Sequence, residues 1–210
     1  METDKIGIRP FLISFAGLIF IELSAVTAKS WIPCSPMLTV GILRLTEIFV
    51  FILIFMKWGK GLASIGLAKQ QLLPGLRLGL LWSAGFGMIV MIGFGVLFLC
   101  GRNPFGLIHT RFPATSGELI LFLLAGGIIG PVAEEIFFRG ILYGFLRKWG
   151  VFTALFLSSL IFVLIHSRGG FTQAVGGVLF AFAYETEEKL MVPIVIHVLG
   201  NMAIFAVSVM

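Results

Sequence analysis

Charge is what this chain lacks most. Only 12% of its 210 residues are charged against 59% hydrophobic, and mean hydropathy is +1.08; soluble domains carry roughly 25% charged residues. A soluble fold of this length could not hide so much apolar surface, because more than half of its exterior would still meet water. That excludes water as the main solvent and leaves lipid. Cysteine is almost absent as well. Cys34 and Cys100 stand far apart with no CxxC pair, which excludes a disulfide framework and a zinc ribbon and leaves the redox compartment open. The compact helical zinc signature HExxH is missing. No basic stripe interleaves with aromatics, so the net charge of +5 and pI near 9.6 do not indicate a nucleic-acid partner. No solenoid-period repeat and no low-complexity segment interrupts the sequence, so residues 1–210 read as a single integral membrane domain.

What is abundant fits that solvent. The 26 glycines suit membrane helices that approach closely, and the basic residues flank apolar runs, as in membrane proteins. A bilayer core needs about 20 apolar residues in a helix. The first run, Phe11 to Ala28, follows Lys5 and Arg9 and is similar to a signal peptide. Glu22 within it and the many later runs favour a retained membrane helix. A second span covers Leu38 to Met56, with Arg44 and Glu47 three apart on one face and able to neutralise each other. A polar connector with Lys57, Lys60, Lys69 and Pro74 follows, in which Leu62 to Leu73 would lie along the membrane surface. The third span is Leu78 to Leu99. His109 then falls in a connector, where an exposed loop histidine is expected.

Apolar sequence resumes from Leu119 to Leu146, too long for one perpendicular span. Pro131 frees a carbonyl and kinks a helix, so this stretch is expected to be one bent helix or two segments meeting there. Val151 to Ile165, Thr172 to Tyr184 and Leu190 to Val209 complete an all-α polytopic transmembrane bundle of about seven spans, six to eight. With the N-terminus inside, the inner loops take Lys5, Arg9, Lys57, Lys60, Lys69, Arg147, Lys148 and Lys189, and the outer loops Lys29, Arg102, Arg111 and Arg168. That balance favours a cytoplasmic N-terminus.

Ionisable groups inside apolar sequence carry the function. A charge at mid-bilayer costs about 2.5–3.5 kcal/mol, so each such group is a candidate site. In the run Glu134-Glu135-Ile136-Phe137-Phe138-Arg139, Glu135 and Arg139 are four apart and share a helical face. Glu134 points about 100° away, free to enter a cavity. A carboxylate in an apolar site gains proton affinity, as a water-activating base requires. Phe162 precedes His166 by four residues at a helix end. His197 and Asn201 are again four apart, able to donate hydrogen bonds toward a developing oxyanion. Singly, each has a bland explanation: a structural ion pair, a helix-to-helix hydrogen bond, packing glue. Together, on three successive membrane helices, they point to one site.

These residues resemble the three motifs of the CAAX-protease and bacteriocin-processing family of intramembrane glutamic endopeptidases: Glu134-Glu135 with Arg139 for EExxxR, Phe162 with His166 for FxxxH, and His197 with Asn201 for HxxxN. Pro193, shortly before the third motif, also fits. The resemblance covers Leu119 to Met210, while residues 1–118 match only as generic membrane helices. It implies a catalytic set of Glu134, His166, His197 and Asn201. Glu134 would polarise water with help from His166, and His197 and Asn201 would stabilise the oxyanion. Glu135, Arg139 and Phe162 would support them. The short chain departs from the prenyl-protein branch and favours a prokaryotic member in the cell membrane. Its substrate would be a membrane-associated protein or peptide.

No cofactor is expected, and a metal-independent glutamate mechanism is preferred. A zinc site of Glu134, His166 and His197 is the lesser alternative. A non-catalytic membrane binding or immunity protein has no need of a base together with an oxyanion hole. A proton-coupled transporter would need matching broken helices, and only one break, at Pro131, is evident.

Overall fold

The computed structural model describes residues 6–28, 35–107, 110–166 and 170–209. Lys5, Lys29, Cys34, the loop histidine His109 and Arg168 lie outside them. Among the described residues the chain forms seven helices and no strand. They are α1 (Ile8–Ala28), α2 (Pro36–Lys57), α3 (Lys69–Leu99), α4 (Ser116–Trp149), α5 (Val151–Ile165), α6 (Phe171–Glu187) and α7 (Met191–Ser208). The expected all-α bundle is present, but only α1, α2, α4, α7 and the stretch Leu62–Leu99 are long and apolar enough to cross a membrane. Helix α5, at 15 residues, rises about 22 Å, short of a hydrocarbon core near 30 Å. It ends at His166. The count of about seven spans is thereby corrected to seven helices with five candidate spans.

Local sequence fixes several helix starts. The Ser35 hydroxyl accepts the Leu38 amide at 3.2 Å, with Pro36 at the first helical position of α2; proline fits there because its missing N–H is not needed. Thr115 accepts the amide of Glu118 at the start of α4. The stretch Leu62–Leu73, expected along the surface, is divided. A 3-10 turn spans Leu62–Ile65, and α3 begins at Lys69 with Pro74 inside it. The bend falls at residues 66–68, where Gly66 adopts φ +76° and its carbonyl accepts the Leu190 amide at 3.0 Å. A Cβ at Gly66 would lie 2.8 Å from that nitrogen, so conformation and contact both require glycine.

Helix α3 packs along α7, α5 against α6, α1 against α2, and α2 against the middle of α4. Bare backbone permits the first contact: Cβ atoms at Gly75 and Gly79 would each lie 2.7 Å from the Cβ atoms of Met191 and Val195. The core gathers Phe51, Phe55, Ile136, Ile141, Tyr143 and Val192. Phe20, Leu81, Phe98 and Phe152 point outward, each more than 70% exposed, which suits contact with lipid and not with water.

Helix α4 does not break at Pro131. It runs continuously over Ser116–Trp149, with two wide π-helical turns at Ala125–Ile129 and Ile136–Tyr143 enclosing the α-turn Gly130–Glu135. Of the two expected arrangements, one bent helix or two segments, the chain takes the continuous one, because the wide turn closes just before the proline. Gly130 donates to the Ala125 carbonyl five residues back, and residue 131 can then occupy an early position of the next helical turn, where no amide is needed.

Candidate active site

Glu135 is fully buried and Glu134 is not, although they are neighbours on α4. Their side chains are 0% and 21% exposed. The expected i,i+4 pair is present: Arg139 Nη1 donates to Glu135 Oε1 at 3.0 Å, both groups being wholly enclosed. The guanidinium lies over the rings of Phe162 and Phe180, at 4.5 and 5.2 Å, so its charge is held by aromatic faces as well as by the carboxylate. Nη2 donates to the Gly177 carbonyl at 3.2 Å, which also accepts from Ser159 Oγ at 2.9 Å. Arg139 thus joins α4, α5 and α6.

The four-residue spacing of Phe162 and His166 has a direct structural use. His166 caps the end of α5, its ring lies 4.5 Å from the Phe162 ring, and its Nδ1 is 2.6 Å from the Phe162 carbonyl. A carbonyl only accepts, so Nδ1 carries a proton and Nε2 faces outward. His197, on α7, is fixed in a parallel way. Its Nδ1 donates to Glu135 Oε1 at 2.7 Å, and its ring stacks on Phe180 at 4.6 Å. Its Nε2 is again the outward atom.

Both outward nitrogens meet Glu134. Oε2 of Glu134 lies 3.8 Å from His166 Nε2 and 3.9 Å from His197 Nε2. These separations exceed direct hydrogen bonds and suit groups that share a bridging water. The structure therefore brings Glu134, His166 and His197 together, with Glu135, Arg139 and Phe162 behind them. Asn201 takes a different partner, donating through Nδ2 to the Gly126 carbonyl at 2.9 Å. Among the described residues no cluster of three or more His, Cys, Asp and Glu is arranged to hold a metal ion.

Three contributors escaped the sequence reading. Phe180 and Gly177 sit on α6, whose apolar pattern alone gave no reason to separate them from ordinary core. Ser159 stands three residues before Phe162 on the same α5 face, the one local hint available. The third is the N-terminal half. The expected Arg44–Glu47 pair is present at 2.7 Å and takes Glu22 of α1 as a third member at 3.0 Å. Helix α2 also packs against the turn Gly130–Glu135 that carries Glu134. The N-terminal helices thus add charge near the site as well as apolar bulk.

The helices that carry these residues are also the part of the chain that resembles a known family. Residues 116–203 match the family described as type II CAAX prenyl endopeptidase Rce1-like, a segment that includes all seven residues assembled above. The chain is similar to the membrane-embedded CAAX protease MroQ of Staphylococcus aureus (strain USA300), with 30% identity over 63% of this chain and 57% of MroQ. It is also similar to YdiL of Bacillus subtilis (strain 168), with 36% identity over 39% of this chain and 34% of YdiL. The chain thus spans about a third to somewhat over half of these relatives. No solved structure matches it significantly. The match falls on the helices that hold Glu134, His166 and His197, so this part of the chain is similar to the Rce1-like type II CAAX prenyl endopeptidase family.

Proposed function

We propose that this protein is an intramembrane endopeptidase in which Glu134 activates water to hydrolyse a peptide bond of a membrane-associated protein or peptide. The observation that carries this reading is the placement of both imidazole Nε2 atoms within 4 Å of Glu134 Oε2, each imidazole anchored through Nδ1. A water in that space lies within reach of the carboxylate and of both rings. Glu134, aided by His166, takes a proton from the water while its oxygen bonds to the scissile carbonyl carbon. The carbonyl electrons move onto oxygen. His197, protonated and held by the Glu135 carboxylate, donates from Nε2 to that oxyanion, and the Asn201 amide provides a second donor. As the C–N bond breaks, the proton on Glu134 passes to the leaving amine, and Glu134 returns to its starting state.

The bacterial relatives and the balance of basic residues support a prokaryotic cell membrane with a cytoplasmic N-terminus. A zinc-dependent variant is the second reading, because Glu134, His166 and His197 converge. Tetrahedral zinc ligands at about 2.0–2.1 Å from the metal sit roughly 3.3 Å from one another, closer than the 3.8 and 3.9 Å found. The donor set therefore fits zinc only if these side chains draw together.

The test uses the full chain reconstituted in liposomes with two fluorogenic probes. One peptide ends in a farnesylated Cys-aliphatic-aliphatic-X sequence, and the other is an unprenylated apolar helix with a basic tail. Cleavage of either by the parent and not by Glu134→Gln is the expected result. Equal cleavage by both proteins would remove Glu134 as the base.

A further inference from the structure

Pro131 lies three residues before Glu134 and is buried, in a helix that nevertheless continues through it. The wide turn before it determines which carbonyl is left over. Two amides of α4 can reach the Gly126 carbonyl. One is Gly130, in the ordinary four-residue register, and the other is residue 131, in the five-residue register of the wide turn. The Gly130 amide donates to Ala125, and residue 131, being proline, has no amide. The Gly126 carbonyl is therefore left without those two donors of its own helix, in a stretch apolar enough to cross a membrane, where lipid offers no replacement. Asn201 Nδ2 of α7 donates to that carbonyl at 2.9 Å.

The approach is close at Gly127 and ordinary at Gly126. A Cβ at Gly127 would run into the terminal methyl of Met202, and one at Gly126 would touch the Phe205 ring at 3.7 Å. Met202 and Phe205 flank Asn201 on α7. Bare backbone at 127 eases the approach of α7, so that a short amide side chain reaches a main-chain oxygen. The acceptor also fixes which end of the amide faces α4, since only nitrogen can donate.

We infer that Asn201 is a positioning residue for α4, and that Pro131 gives it this role. The proline deletes one backbone donor from the helix carrying Glu134, and the amide on the helix carrying His197 replaces it. One bond thereby sets the register between the base and an imidazole that must face it. The bond uses one of the two Nδ2 protons, so the other remains available to an oxyanion. The catalytic consequence rests on the proposed function; the pairing itself does not.

The experiment compares four full-length proteins in bicelles: the parent, Pro131→Ala, Asn201→Ala and the double variant. Alanine at 131 restores a backbone N–H and makes the Asn201 amide redundant. With proline present, Asn201→Ala should lower the melting temperature by about 5 °C, as for an acceptor left unpaired. With alanine at 131 the loss should fall below half of that. For probe cleavage, Pro131→Ala should reduce kcat about tenfold at unchanged KM when Asn201 is present, and should change nothing in the Asn201→Ala background. Equal thermal losses in both backgrounds, or kcat losses that multiply, overturn the inference. Asn201→Asp, of the same shape but without the donor, is the second variant should Pro131→Ala not insert. It should match Asn201→Ala in melting temperature, and parent-like stability overturns the inference. If the parent cleaves neither probe, the proposed function fails while the unfolding comparison still decides the pairing.

Discussion

The carboxylate of Glu135 holds Nδ1 of His197 at 2.7 Å, across 62 positions of sequence. The same oxygen accepts Arg139 Nη1 at 3.0 Å, so one buried atom ties the ion pair of α4 to an imidazole of α7. Glu135 is therefore a partner for Arg139 and also fixes the face that His197 turns toward Glu134. This is the logic by which a buried acid orients the histidine of a catalytic triad.

Substituting Glu134 by glutamine should abolish most probe cleavage and leave the protein inserted. A positioned general base is worth about 10²–10⁴-fold, and among the described residues Glu134 meets His166 and His197 only at 3.8 and 3.9 Å, contacts too long for folding to rest on. The measurements are kcat on purified protein and a melting curve. A normal rate in the variant would reassign the base.

Removing either member of the buried pair should cost stability before chemistry. Arg139→Ala leaves the fully enclosed Glu135 facing only His197, and an uncompensated buried charge costs about 3–5 kcal/mol. Expression yield and melting temperature should both fall. Glu135→Gln should likewise lose stability, because it leaves the enclosed Arg139 guanidinium without its carboxylate, and should also lose kcat, because the amide holds Nδ1 of His197 less firmly than the carboxylate does.

Helix α3 should tolerate no side chain at its closest approach to α7. Gly79→Val introduces a Cβ 2.7 Å from that of Val195, and overpacking of this kind costs about 1–3 kcal/mol. Gly85→Val, where nothing lies within 4 Å, is the matched control. A melting temperature equal in the two variants would contradict the packing described.

Dialysis against a strong chelator should leave cleavage unchanged, with no zinc found by elemental analysis in active protein. Activity lost on chelation and restored by stoichiometric zinc would replace the glutamate mechanism with the metal one.

Much of this site could be read without coordinates because its key spacings are local. Glu135 with Arg139 and Phe162 with His166 are each four apart, and a helix puts such residues on one face whatever surrounds it. Composition was equally decisive for solvent, since no arrangement of this chain hides so much apolar surface from water. Helix boundaries were legible wherever apolar runs were punctuated, and least so where Pro74 and Pro131 suggested interruptions that neighbouring turns absorbed.

The sequence alone thus determined that the chain lives in lipid, that its three motifs of ionisable groups within apolar sequence lie in the C-terminal half, and which side chains share a face within one helix. It could not determine what faces each other between helices. The Glu135–His197 bond, the Asn201 contact with Gly126, the third partner of the Arg44 pair and the continuity of α4 through Pro131 were decided only by tertiary structure. Each depends on how closely two helices approach and in what register. That distance is set by bare glycine backbone meeting side chains far along the chain, and local periodicity does not encode it.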